Sequence, residues 1–204
     1  MKWFTLILLA VLSPLAPAQL GAHSLTDPSV PYQWANGVLP VLEYDVHSGM
    51  PRGLSDTPRL RIYADGAYVV FFSRFSRFAG SYYGQMDPRE LASWLQRVVA
   101  SGIVDNNLVE LKTRREKMAT QAHMLFDISD QTLTTLKVRL GSVSGLHTSG
   151  NPAAITEKSF RWKNLRSDTR LFPQLRELTA MQGLVDQLES LCKVGRLNKV
   201  VIDE

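Results

Sequence analysis

The order of apolar and polar residues predicts the most elements between residues 59 and 102. An apolar run ends at Ala64, the dipeptide Asp65-Gly66 follows, and a second apolar run continues to Phe72. Tight hairpin turns need residues with positive φ, a conformation that Gly adopts without steric cost and that Asp tolerates. The pattern therefore predicts a β-hairpin around Asp65-Gly66.

Two registers of this hairpin fit the sequence. A two-residue loop places Leu60, Ile62, Val69 and Phe71 on one face of the sheet, and a bulged three-residue loop places Leu60, Ile62, Tyr68, Val70 and Phe72 there. Because a slip of one residue exchanges the two faces, the pattern leaves both registers open. Arg59 and Arg61 are expected on the opposite face in either register.

A third strand and a helix are predicted next along the chain. Glycines at positions 80 and 84 of the strand predict a bulge or a close backbone approach, which we expect where the following helix crosses. Asp87 suits the N-cap of that helix, and Pro88 suits its first position. Gly102 suits the left-handed residue at its end. The predicted apolar stripe of the helix consists of Leu91, Trp94, Leu95, Val98 and Val99.

The other segments have weaker patterns. Residues 38–46 alternate loosely and predict one strand. Residues 106–119 fit either a partly exposed helix or a long connection, and residues 153–162 fit either a strand or an irregular return. Residues 132–140 alternate strictly, which predicts a half-buried antiparallel strand. We pair this strand in a second hairpin with residues 123–128.

Apolar residues that recur at steps of three and four predict a second helix over residues 172–194. Gly183 weakens its middle by up to ~1 kcal/mol relative to Ala, so that a kink or a break is compatible with the sequence. Together these elements predict one α+β domain over residues 56–194, with an antiparallel sheet built from two hairpins and two helices packed on one face. Residues 19–55 are expected to form an extended arm, and residues 195–204 a tail.

Residues 1–18 have the pattern of a secretory signal peptide. Lys2 supplies the positive start, residues 4–12 supply the apolar centre, and Ala16-Pro-Ala18 is a small-x-small cleavage site. The apolar run is only about half of the ~20 residues that a membrane span needs, which favours cleavage over a membrane anchor. Cleavage is expected after Ala18 or Ala22, and the protein is expected to be periplasmic or secreted.

Composition places the chain among globular proteins. Its 204 residues, of which 45% are apolar and 21% charged, suffice for one medium-sized domain with a core. The net charge of +4 suits an anionic environment but is far from the clustered charge of a nucleic-acid binder. Cys192 is the only cysteine and falls on the apolar stripe of the second helix. We interpret it as a buried thiol rather than a nucleophile.

Three motifs carry a resemblance to known proteins. They are Leu-Arg-Ile-Tyr-Ala-Asp-Gly at 60–66, Gly-Ser-Tyr-Tyr-Gly at 80–84 and Asp-Pro-Arg-Glu-Leu at 87–91, followed later by Asp-Ile-Ser-Asp at 127–130. In this combination the chain resembles a group of secreted bacterial proteins of unknown function. The motifs consist mainly of turn and cap residues, so the resemblance implies location and architecture and carries over no catalytic residue.

Residues 73–78 interleave basic and aromatic side chains as Ser-Arg-Phe-Ser-Arg-Phe. Such a segment can stack on rings while its arginines bind phosphates or carboxylates. The predicted binding surface consists of Arg59, Arg61, Tyr63, Arg74, Arg77, Tyr82 and Tyr83. An envelope protein, a glycan or an anionic lipid surface suits the expected compartment, whereas nucleic acid does not. The alternative is a plain connection whose Phe residues point inward and whose Arg residues are solvated.

Motifs of catalysis are missing from the sequence. It contains no nucleophile elbow, phosphate loop or dinucleotide fingerprint, and its four histidines lack metal-ligand spacing. The sequence therefore predicts an exported, non-enzymatic binding or interaction protein without cofactor or metal. The alternative hypothesis is a hydrolase or metal-dependent enzyme that uses His123 and His147 with Asp127 or Asp130.

Overall fold

The computed structural model describes residues 32–35, 37–47, 57–124, 131–142, 155–193 and 197–199. The strands in these parts are β1 (Tyr32–Trp34), β2 (Leu42–His47), β3 (Leu60–Ile62), β4 (Ala67–Phe72), β5 (Gly80–Gln85), β6 (Leu133–Ser142), β7 (Ile155–Lys163) and β8 (Asn198–Lys199). The helices are α1 (Pro88–Ala100), α2 (Leu108–Gln121), α3 (Leu165–Leu171) and α4 (Arg176–Leu191). The predicted α+β class with an antiparallel sheet is confirmed.

All eight strands of the described residues belong to one antiparallel sheet. Its main path runs β7-β6-β2-β3-β4-β5, and the short β8 extends it beyond β5. The short β1 also pairs with β6, where Leu140 and Gly141 contact β1 on one edge and β7 on the other. β1 therefore lies on the same edge of β6 as β2. The strand predicted within residues 38–46 is confirmed as β2.

The hairpin at Asp65-Gly66 adopts the three-residue loop. Leu60 lies opposite Val70, and Ile62 lies opposite Tyr68. The Tyr63 N–H donates to the carbonyl of Ala67 at 2.8 Å, and Gly66 takes a φ of 85° in the left-handed region. This register puts Tyr68 and Val70 into the core with Leu60 and Ile62. The core-facing side chains thus settle the choice that the turn residues left open.

The predicted partner of the strand at 132–140 is wrong. β6 pairs along one edge with β7 and along the other with β2 and β1, so other strands occupy both of its edges. His123 follows α2 with a left-handed φ of 52°, and residues 125–130 lie outside the described part. The strand alternative for residues 153–162 is confirmed as β7. Alternation marked β6 as a strand, but it carried no information about which strand lies beside it.

Helix α1 forms as its sequence predicts. The Asp87 carboxylate accepts a hydrogen bond from the Glu90 N–H at 2.8 Å, and Pro88 is the first helical residue. This cap contributes about 1 kcal/mol. Gly102 follows the helix with a φ of 75°. Four of the predicted stripe residues are buried, namely Leu91, Trp94, Leu95 and Val98, while Val99 is partly buried against the core.

The helix predicted over residues 172–194 is shorter in the structure, where α4 spans Arg176–Leu191. α3 ends at Leu171, a turn contains Pro173, and α4 begins at Arg176. Proline lacks an N–H and disfavours a helical residue before it, which explains the separation. Leu171, expected on the apolar stripe, is 42% exposed. Gly183 lies inside α4, which continues through it without a break.

Most of the segment 106–119 lies in α2, which begins at Leu108 after the N-cap Asn107, so the helix alternative is correct. Only Leu111 and Ala119 of this helix are buried, which agrees with its thin apolar stripe. Two arginines connect α2 to the other helices: Arg114 pairs with Glu177 at 2.6 Å, and Arg115 pairs with Asp168 at 3.2 Å. The core lies between one face of the sheet and the helices, with apolar side chains of α1, α3 and α4 in the same cluster as those of β2, β3 and β6.

Candidate functional site

The structure separates the seven residues of the predicted binding surface. Tyr82 is only 5% exposed and belongs to the core, where its ring meets Phe72 edge-on at 5.4 Å between centroids. Arg59 turns towards the helix layer and binds the carboxylate of Glu189 at 2.8 Å. These two residues therefore do not belong to an open sheet face. Tyr63 is half-buried beside the β3–β4 turn.

Arg61 and Tyr83 do lie on the open face of the sheet. Arg61 of β3 and Tyr83 of β5 are both paired with Val69 of β4, which lies between them. The two residues are therefore about 10 Å apart, twice the spacing of neighbouring strands. Ion pairs occupy other parts of this face, where Arg139 contacts Glu43 at 2.7 Å and Glu157 at 2.9 Å. Because these charges compensate each other, the open face is not the continuous basic-aromatic surface that the sequence suggested.

The loop between β4 and β5, residues 73–79, has a defined conformation, and we call it the hairpin tip. Two consecutive turns form it, because Ser76 N–H donates to the carbonyl of Ser73 at 2.8 Å and Ala79 N–H donates to that of Ser76 at 3.0 Å. Phe78 packs against the core, with its ring 6.2 Å from that of Phe72. The buried end of the loop is therefore fixed to the sheet.

Phe75 points outwards from the hairpin tip with 78% of its surface exposed. Arg74 lies over the Phe75 ring at 4.9 Å, and Arg77 lies over the Phe78 ring at 4.4 Å. Both arginines are exposed. The interpretation of residues 73–78 as a plain connection with inward-pointing Phe residues therefore holds for Phe78 but not for Phe75. The tip presents one exposed aromatic ring and two exposed arginines, of which Arg74 lies on that ring.

A cleft of about 590 Å³ opens between the sheet and the helices α3 and α4. Its volume falls within the range of about 300–1,000 Å³ that small-molecule sites occupy. We call it the arginine cleft, because three arginines line it. Its lining residues are Tyr44, Val46, Arg59, Thr132, Thr134, Asn164, Leu165, Arg166, Ser167, Arg170, Gln182, Val185 and Glu189.

Glu189 holds one wall of the arginine cleft in place. One of its carboxylate oxygens accepts a hydrogen bond from the Tyr44 hydroxyl at 2.5 Å, and the other lies 2.8 Å from the Arg59 guanidinium. Burial and the neighbouring carboxylate raise the pKa of Tyr44 above its usual range. Tyr44 therefore stays protonated and acts as a hydrogen-bond donor, which connects β2 to α4.

Cys192 lies beside this wall and is 4% exposed. Burial raises the pKa of its thiol to about 11. At neutral pH the group is a neutral thiol, and the thiolate is the reactive form. The interpretation of Cys192 as a buried structural residue is therefore consistent with its surroundings.

Arg166 and Arg170 line the cleft, although no pattern in the sequence marked them as site residues. They occupy positions i and i+4 of α3, a segment that carried no recognised pattern, and they reach the same cleft. Their spacing on one helix face was the only signal in the sequence. Asn164 positions this helix, because its N–H donates to the carbonyl of Thr132 at 2.7 Å and its side-chain oxygen accepts from the Thr132 N–H at 3.2 Å.

The residues of the hydrolase or metal hypothesis are only partly described. His123 is exposed after α2, whereas His147, Asp127 and Asp130 lie outside the described residues. Within the described ranges, no three His, Cys, Asp or Glu side chains are grouped as a metal site would require. This hypothesis stays a prediction.

In the part of the chain that the structure describes, no helix combines the length and apolar character needed to cross a bilayer. Comparison of the chain with protein-family models, with curated proteins and with solved structures gives no match. The resemblance to secreted bacterial proteins thus stays a prediction from its motifs.

Proposed function

We propose that this protein is an exported, non-enzymatic binding protein that attaches to an anionic lipid surface through its hairpin tip. One observation carries the proposal: Phe75 is 78% exposed and flanked by exposed Arg74 and Arg77, while Phe78 fixes the same loop to the core. A ring that is 78% exposed adds little to the packing of the domain itself. An exposed ring in the same loop as two exposed arginines suits the boundary between lipid headgroups and acyl chains.

The energies of this attachment are modest. Each Lys or Arg near an anionic membrane surface contributes about 1 kcal/mol, and an apolar side chain that leaves water contributes about 1.5–3 kcal/mol. One tip therefore supports reversible attachment that weakens with salt. Because two turns and Phe78 already order the loop, binding loses little conformational entropy.

The N-terminal sequence supports export. Residues 1–18 combine a basic start, an apolar centre and a small-x-small cleavage site. We expect the protein recovered from the periplasm of an expressing bacterium to begin at Gln19 or His23, as N-terminal mass spectrometry would show. A cytosolic protein that retains Met1 or Lys2 would contradict export. Replacing Ala18 by Arg should prevent cleavage at the first of the two sites.

Vesicle binding tests the role of the hairpin tip. We expect the chain without residues 1–18 to co-sediment with vesicles of phosphatidylglycerol and phosphatidylcholine in equal parts, and not with phosphatidylcholine alone. Phe75→Ala should weaken this binding about tenfold, because the ring no longer leaves water. Arg74→Ala combined with Arg77→Ala should weaken it about as much and reduce its dependence on salt.

Two controls separate this surface from charge and folding effects. Arg89→Ala combined with Arg161→Ala removes two exposed cations elsewhere and should leave vesicle binding within about twofold of the parent. Phe78→Ala should lower the free energy of unfolding by about 1–2 kcal/mol, whereas Phe75→Ala should not change it measurably. Equal vesicle binding by the parent chain and the Phe75→Ala variant would rule out the proposed surface. If the tip bound a protein or a glycan but no vesicles, an anionic lipid surface would be ruled out as its partner.

A further inference from the structure

We propose that the arginine cleft binds a small organic anion whose carboxylate or phosphate group contacts Arg166 and Arg170. This site is separate from the hairpin tip and independent of its proposed role. The first argument is the balance of charge in the cleft: three arginines line it against a single acid, Glu189. Both oxygens of that acid are already engaged, one by Tyr44 and one by Arg59.

The other two arginines keep their charge available. Arg166 contacts Asp186 only at 3.3 Å, in a pair whose side chains are 70% and 55% exposed. Such exposed pairs contribute little and exchange readily with another anion. Among the described residues, no carboxylate pairs with the exposed Arg170. Two arginines at positions i and i+4 of one helix therefore line the same cleft, and each guanidinium can offer forked donors to an anion.

The walls of the cleft specify the rest of the ligand. Val46, Leu165 and Val185 form an apolar part, and the hydroxyls of Thr132, Thr134 and Ser167 add polar groups. Thr134 and Leu165 are buried and lie at the floor, while Thr132, Arg166 and Arg170 are exposed at the mouth. A site of this kind suits a ligand with an anionic end and an apolar or ring-shaped body that enters the cleft.

The chain without residues 1–18 is titrated with small anions at constant ionic strength, and amide NMR signals monitor the binding. The probes are inorganic phosphate, benzoate and phenyl phosphate, with benzyl alcohol as the uncharged comparison. We expect phenyl phosphate or benzoate to shift the amide signals of Asn164–Leu171 and Thr134, and benzyl alcohol not to do so. If inorganic phosphate bound as tightly as phenyl phosphate, the cleft would recognise only the oxyanion. The proposed apolar part of the ligand site would then be wrong.

Variants locate the binding site. Arg170→Ala should raise the dissociation constant about tenfold, and Arg170→Lys should recover only part of the loss because a lysine offers no fork of donors. Arg161→Ala, an exposed cation on β7 outside the cleft lining, is the matched control and should bind as the parent does. Unchanged affinity of the Arg170→Ala variant, or no saturable shift in α3 with any of the three anions, would overturn the proposal. Vesicle binding by the hairpin tip is measured separately, so either result stands without the other.

Discussion

Asp168→Ala is expected to lower the free energy of unfolding by about 3–5 kcal/mol, the largest effect of any substitution considered for this protein. Asp168 is 2% exposed. Its carboxylate accepts a hydrogen bond from the Trp162 indole N–H at 2.8 Å and two from the Arg115 guanidinium at 3.2 Å each. Alanine would leave a largely buried cation and a buried indole N–H without these acceptors, which costs more than the pair itself contributes.

Urea unfolding measures this prediction, and Asp186→Ala is its matched control. Asp186 also pairs with an arginine, but both side chains are more than half exposed, so its loss should cost less than about 0.5 kcal/mol. Combining Asp168→Ala with Arg115→Met should recover part of the stability, because the buried charge is removed with its partner. A loss below about 1 kcal/mol for Asp168→Ala would show that this network does not hold α2 and α3 to the sheet.

Gly84→Ala is expected to lower the free energy of unfolding by about 1–3 kcal/mol through overpacking. A Cβ at this position would lie 2.1 Å from the Cζ atom of Tyr68, whose ring crosses the glycine from the neighbouring strand. Tyr68 is only 6% exposed, so its ring has little room to move away. Thermal unfolding monitored by circular dichroism measures the change.

Gly183→Ala provides the opposite case in the same chain. A Cβ there would meet no heavy atom within 4 Å, and the residue lies inside α4. This substitution should raise the free energy of unfolding by up to ~1 kcal/mol, because alanine favours the helix. In a Tyr68→Ala background, Gly84→Ala should cost clearly less than in the parent. Equal costs in both backgrounds would show that the tyrosine ring is not what the glycine accommodates.

The Gly84 case shows how far a local pattern can lead. Glycine inside the strand predicted a bulge or a close backbone approach where the helix crosses, whereas the group that comes close to Gly84 is the side-chain ring of Tyr68. The sequence cannot identify the crossing group, because the side chain that faces a glycine depends on strand order and register. The same limit produced the wrong partner for β6.

The candidate sites follow the same division. The alternation of Arg and Phe at 73–78 was visible in the sequence, yet only the packing on Phe72 decides that Phe78 turns inward and Phe75 outward. Arg59 was expected on the open face, but the end of α4 brings Glu189 within 2.8 Å of it. The arginine cleft collects residues from β2, β6, α3 and α4, and no single segment signals it.

The sequence by itself determined the features that depend on neighbours along the chain: the turn at Asp65-Gly66, the cap at Asp87, the end of α1 at Gly102 and the inward alternation of β6. These features arise from backbone conformation and periodic burial, which act over a few residues. Only the tertiary structure decided the hairpin register, the pairing of β6 with β7, and the placement of Arg166, Arg170 and Glu189 in the lining of one cleft. Those outcomes depend on which apolar surfaces pack together across the whole domain. The same local pattern is compatible with many strand pairings, and only the packing of the core selects one of them.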